Sequence, residues 1–130
     1  MQPGRARRIA IADDSPTFVD AAARYVAALP GYDLAGTVHA TAHALTLVKS
    51  SAPDILLLDL GAAPARGLEL LRRVKALPAA PVVVAMTLFR SPEAAAAAVD
   101  AGAVGLVGKE GFVSDLTQLL ARLFPAELTA

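Results

Sequence analysis

The chain has 130 residues, with 12 lysines and arginines against 12 aspartates and glutamates, and no cysteine. Its 55% apolar content excludes intrinsic disorder, and the balanced charge excludes the broad basic field that nucleic acid requires. Disulfides, thiolate metal sites and thiol nucleophiles are excluded together.

Arg5, Arg7 and Arg8 make a basic start, but the apolar run behind them is only Ile9 to Ala12. That is too short for a signal-peptide core, and no stretch is apolar enough to span a bilayer. The expectation is a cytoplasmic protein without a membrane partner, with residues 1–7 as a solvated basic tail. Residues 8–12 read as a first strand. Ser15-Pro16 reads as an N-cap followed by a proline in the first helical turn. The helix it opens carries the apolar stripe Phe18, Ala22, Tyr25, Val26 and Leu29, and Pro30-Gly31 stops it.

A weaker strand over 33–38 and a helix over 42–51 follow. Ile55-Leu56-Leu57-Leu58-Asp59 reads as a strand buried on both faces. A Gly, Ala and Pro-rich loop (61–67) leads into a helix over 67–77, with Leu68, Leu71, Val74 and Leu77 inward. Residues 82–86 form the fourth strand. Ser91-Pro92-Glu93 caps a helix running through five alanines to Ala101, ended by Gly102. A fifth strand (104–108) and a last helix (112–123) complete the series.

Five strands alternating with five helices imply right-handed crossovers and a parallel sheet covered on both faces. The predicted class is α/β, a flavodoxin-like doubly wound sheet of order 2-1-3-4-5. No composition break or internal repeat marks a second domain, so one domain spans 8–124 and residues 125–130 form a C-terminal tail.

Strand ends define the candidate site, because open α/β sheets place their chemistry at the carboxyl edge. The first strand ends in Asp13-Asp14, the third in Asp59, the fourth in Thr87, and the fifth in Gly108-Lys109. Two like charges ~4 Å apart cost roughly 4 kcal/mol at an effective dielectric of 20, and Lys109 alone does not balance three carboxylates. Oxygen ligands without histidine or cysteine point to Mg²⁺ rather than zinc. Asp59 would be the nucleophile toward an incoming phosphoryl group, with Mg²⁺, Lys109 and the Thr87 hydroxyl holding its equatorial oxygens.

These motifs resemble the receiver domain of bacterial response regulators. The resemblance covers about residues 7–124. It rests on IADDSP, on LLLDL around Asp59, on Gly67 eight residues later, on AMT closing the fourth strand, and on AGAVGLVGK closing the fifth. It implies that Asp14 binds Mg²⁺ directly, that Asp13 holds it through water, and that the Gly61 backbone carbonyl adds a ligand. It implies a sensor histidine kinase or phosphotransfer protein as phosphodonor. It also implies an output surface across residues 91–123 that meets a downstream protein or a second copy. The Asp-Asp-Ser-Pro opening and the Lys109-Glu110 junction are most similar to receivers carrying a helix-turn-helix output domain.

Three departures stand out. Leu106 occupies the place of the usual aromatic, Leu88 replaces a small residue after Thr87, and Ala62-Ala63 replace Met-Pro, with Pro64 displaced by one. They motivate an alternative, an atypical receiver that works as an interaction module without phosphorylation. A phosphatase of the haloacid-dehalogenase type would need a second Asp where Gly61 stands. A flavin site would need a phosphate loop where Asp13-Asp14-Ser15-Pro16 would repel phosphate. The domain is not expected to be an enzyme beyond accepting a phosphoryl group and slowly losing it. His39 and His43 read as surface residues. Taken singly, Thr87 reads as a turn residue, Lys109 as a surface lysine, and Asp13-Asp14 as acids favoured by a helix dipole.

Overall fold

The structure is a computed structural model and describes residues 5–125. Its elements are β1 (Arg7–Ala12), α1 (Pro16–Ala28), β2 (Tyr32–Val38), a 3₁₀ turn (Thr41–His43), α2 (Ala44–Ser51), β3 (Ile55–Asp59), α3 (Pro64–Lys75), β4 (Val82–Thr87), α4 (Pro92–Asp100), β5 (Gly105–Gly108) and α5 (Phe112–Leu123). All strand pairs are parallel and the order is β2-β1-β3-β4-β5, as the sequence predicts.

The two-residue period of the strands divides the core. Ile9, Ile11, Ile55, Leu57, Val84, Met86 and Val107 face α1 and α5 and pack on Val19, Val26, Phe112, Leu116 and Leu120. Ala10, Ala12, Leu56, Leu58, Val83, Ala85 and Leu106 face α2, α3 and α4 and pack on Leu47, Val48, Leu71, Val74 and Ala98. β3 lies at the centre with all five residues buried, which is why its sequence is apolar without alternation. β2 lies at the edge and is mostly half-exposed; its register with β1 slips between Ile9 and Ala10.

Most boundaries fall where local chemistry places them. The Ser15 side chain accepts the Phe18 N–H, and the Ser91 side chain accepts that of Ala94. Gly31 and Gly102 adopt positive φ (84° and 116°) beyond the ends of α1 and α4. Two readings need correction. α3 begins at Pro64, not at residue 67, because a proline with its φ already set starts the first turn three residues early. The tail is shorter than expected: Arg7 joins Arg8 in β1, and among the described residues ahead of it Arg5 is exposed. The Arg7 guanidinium stacks over the Phe124 ring at 3.8 Å. Arg8 donates to the Ser51 and Ala52 carbonyls at the end of α2. Residues 1–4 and 126–130 of the expected tails lie outside the described residues. His39 and His43 are exposed, as expected.

Candidate functional site

Parallel strands end together, so β1, β3, β4 and β5 deliver their last residues to one edge. There, Asp13, Asp14, Asp59, Gly61, Thr87, Leu88, Phe89 and Lys109 line an open cavity of about 650 Å³. Asp13 is fully buried and Asp59 is 6% exposed, on the floor of that cavity. The Lys109 ammonium bridges them, 2.8 Å from Asp13 Oδ2 and 3.6 Å from Asp59 Oδ2. It reaches this place from the end of β5, where its backbone N–H donates to the Thr87 carbonyl at 2.8 Å and ties two of the strand ends together.

Backbone groups orient both acids. The Ser15 N–H donates to Asp13 Oδ1 at 2.8 Å, and the Gly61 N–H donates to Asp59 Oδ1 at 3.0 Å. The Gly61 turn has φ 74°, a conformation that favours glycine. Gly67 lets α3 approach this loop: a Cβ there would lie 2.4 Å from the Leu60 carbonyl oxygen. The N–H donors of Gly61 and Ser15, unlike the Gly61 carbonyl, are not among the groups expected from the sequence. Their signal is the turn residue two positions beyond each acid.

Electrostatically the site is under-neutralised. Two buried carboxylates share one ammonium, which leaves one negative charge uncompensated, and Asp14 adds another at the rim. Burial pushes the Asp13 carboxyl above the ordinary aspartate range. The hydrogen bonds from Lys109 and the Ser15 N–H offset part of that rise, the Asp59 charge adds to it, and the Lys109 charge opposes it.

The expected meeting of three carboxylates is realised only in part. Asp14 is exposed, and its Oδ1 accepts the Thr41 N–H at 2.8 Å. Among the described residues no group of three acidic or imidazole side chains stands ready to hold a metal. Asp14 is engaged by a backbone N–H of the chain after β2, a partner that strand-end position does not reveal. The remaining donors still suit a hard cation. They are all oxygen, and Asp13 Oδ2 is buried with no hydrogen-bond partner beyond its proximity to Lys109.

The departures from the usual receiver pattern take clear positions. Leu106 is buried in the core beneath α4. Leu88 lines the cavity mouth but stays 58% exposed, so it does not fill the site. Phe89, which the sequence reading did not single out, lines the same mouth and is 80% exposed.

Comparisons with known proteins agree with this geometry. Residues 9–121 match the family described as Response regulator receiver domain. A protein-glutamate methylesterase/protein-glutamine glutaminase of Agrobacterium fabrum is 31% identical over 103 residues, 78% of this chain and 29% of that protein. A curated relative from Pseudomonas aeruginosa is 30% identical over 109 residues, 84% of this chain and 52% of its own length. The chain thus spans about half, or less, of these relatives. Among solved structures, a LuxR-family two-component response regulator from Aurantimonas sp. SI85-9A1 superposes with TM-score 0.80 at 25% identity, covering 95% of this chain and 88% of that one. The receiver domain of RcsB from Salmonella enterica serovar Typhimurium, solved with phosphomimetic BeF3-, shares the fold at 20% identity and TM-score 0.79, covering 95% and 92%. The match over residues 9–121 covers most of the chain, and the fold is shared, so the chain belongs to the response regulator receiver domains of two-component systems.

Proposed function

We propose that this domain accepts a phosphoryl group on Asp59 in a Mg²⁺-dependent reaction and thereby switches a protein-interaction surface. The observation that carries the reading is the pairing at the cavity floor, where Asp59 lines the opening and its Oδ2 lies 3.6 Å from the Lys109 ammonium. Asp13, Asp59 and the Gly61 carbonyl would hold the cation, and Asp14 would join them through the oxygen that Thr41 leaves free. Bound there, Mg²⁺ would neutralise the excess negative charge and lower the cost of bringing phosphate oxygens to an acidic site.

The chain's own residues do the rest. A carboxylate oxygen of Asp59 attacks phosphorus as the bond to the donor's leaving atom breaks, and the leaving group departs with that electron pair. The Gly61 N–H keeps the other Asp59 oxygen in place, so the attacking oxygen stays turned toward the cavity. Lys109, held by Asp13, places its positive charge where the transferred oxygens gather. Thr87, half-buried at the cavity wall, supplies a hydroxyl donor to one of them.

The phosphodonor in this reading is a sensor histidine kinase or phosphotransfer protein, in the cytoplasm. The output runs through residues 91–123, to a downstream protein or a second copy. The domain is itself the acceptor that the reaction modifies, so in this reading it is a switch and not an enzyme in the usual sense. No helix among the described residues is long and apolar enough to cross a membrane. Incubation with acetyl phosphate and Mg²⁺ followed by intact-mass measurement tests the reading. Wild type gains one phosphoryl group and Asp59→Asn gains none; a wild type that gains no mass refutes it.

A further inference from the structure

The segment after Thr87 is fastened to α5 by one carboxylate. Asp115 Oδ2 accepts from the Arg90 guanidinium at 2.7 Å and from the Gly108 N–H at 2.9 Å. Gly108 precedes Lys109, and Arg90 lies three residues after Thr87. A single oxygen therefore ties together the two chain segments that carry the phosphate-facing hydroxyl and ammonium. The contact is built and not incidental. A Cβ on Gly108 would lie 3.0 Å from Arg90 Cδ and 3.5 Å from Asp115 Oδ2, so the missing side chain is what gives the arginine stem its path. Asp115 is held in turn, its backbone N–H donating to the Gly111 carbonyl at 2.8 Å. Its side chain is only 21% exposed, against 56% for Arg90.

Leu88 and Phe89 are exposed between Thr87 and Arg90. We propose that the Arg90–Asp115 ion pair is a latch that holds the segment after Thr87 in its resting position, so that a phosphoryl group on Asp59 draws Thr87 inward against it. This inference rests on the phosphoacceptor reading of Asp59. It gives the chain a restraint outside the core, in a receiver whose buried aromatic is replaced by Leu106. A pair this exposed contributes modestly, and its loss shifts the switch by a small factor.

Equilibrium binding of beryllofluoride with Mg²⁺ tests the latch in wild type, Arg90→Gln, Asp115→Asn and the double variant. Asparagine keeps an oxygen for the Gly108 N–H and removes only the charge. Each single variant binds about two- to fivefold more tightly, and the double gains no more than either single. The gain shrinks at about 1 M salt. Unchanged or weaker binding by Arg90→Gln overturns the latch, as do gains that multiply in the double variant. Amide exchange at residues 88–91 reads the restraint without any phosphoryl analogue. Both single variants speed exchange there and leave the α1–α5 core as protected as in wild type; equal rates in that segment overturn the proposal. A wild type that binds no beryllofluoride removes the phosphoacceptor reading and the coupling with it, and the exchange rates then decide whether the segment is latched.

Discussion

The two edges of the sheet use charge in opposite ways. At the amino edge three charged groups close backbone valences. The Arg8 backbone N–H donates to Asp54 Oδ2 at 2.8 Å, its guanidinium caps the end of α2, and the Lys75 ammonium donates to the Pro81 carbonyl at 2.8 Å. At the carboxyl edge Asp13 and Asp59 compete for one ammonium, and one buried carboxylate oxygen has no hydrogen bond. A charge that satisfies a carbonyl stabilises the fold and leaves nothing for a ligand. A cluster whose charges do not balance costs stability and is poised to take up a cation and an anion together.

Substitutions at the two edges should therefore separate function from stability. Lys109→Gln removes the cation that lines the site among the described residues, and phosphoryl incorporation from acetyl phosphate should fall by about 10²-fold or more. Arg8→Gln leaves the rate unchanged and lowers unfolding stability by about 1–2 kcal/mol, through the lost carbonyl partners. Denaturant titration and labelling kinetics on both variants check the contrast. A labelling defect in Arg8→Gln would blur it.

Gly67→Ala sharpens the comparison from the scaffold side. Its Cβ would press on the Leu60 backbone, and relieving the overlap should cost about 1–3 kcal/mol and displace the Gly61 turn. Labelling of the folded variant should slow as well, whereas a scaffold glycine far from the site would change stability alone.

The Asp13 carboxyl supplies a smaller, pH-dependent effect. Its folded pKa lies above the ordinary value of 3.8, so between the two values the folded state binds more protons than the unfolded one. Its contribution to stability is then greatest below that window and is lost as pH rises through the folded pKa. Stability curves of metal-free wild type and Asp13→Asn should differ by this slope and no other. Acidification through the same window should weaken Mg²⁺ binding, because the proton competes for the ligand. The smallest effect belongs to Ser91→Ala, which removes the α4 cap for about 1 kcal/mol and leaves the labelling rate as it was.

Much of this was legible in the chain itself. Unbroken apolar runs such as Ile55 to Leu58 announce strands covered on both faces, and serine-proline and glycine positions mark helix ends. Strand-end residues reach the site because a parallel sheet has no other place to put them. What stayed hidden depends on neighbours remote in sequence. Asp14 meets a backbone N–H beyond β2. The Arg90–Asp115 pair joins a loop to a helix whose relative placement no periodicity encodes.

In the proposed reaction the carboxyl edge, short of positive charge, needs a divalent cation before Asp59 can accept phosphorus. Labelling with acetyl phosphate in Mg²⁺ and in EDTA, at matched ionic strength, tests it most directly. Incorporation on Asp59 is expected with Mg²⁺ and almost none with EDTA. Equal labelling in the two conditions would contradict it.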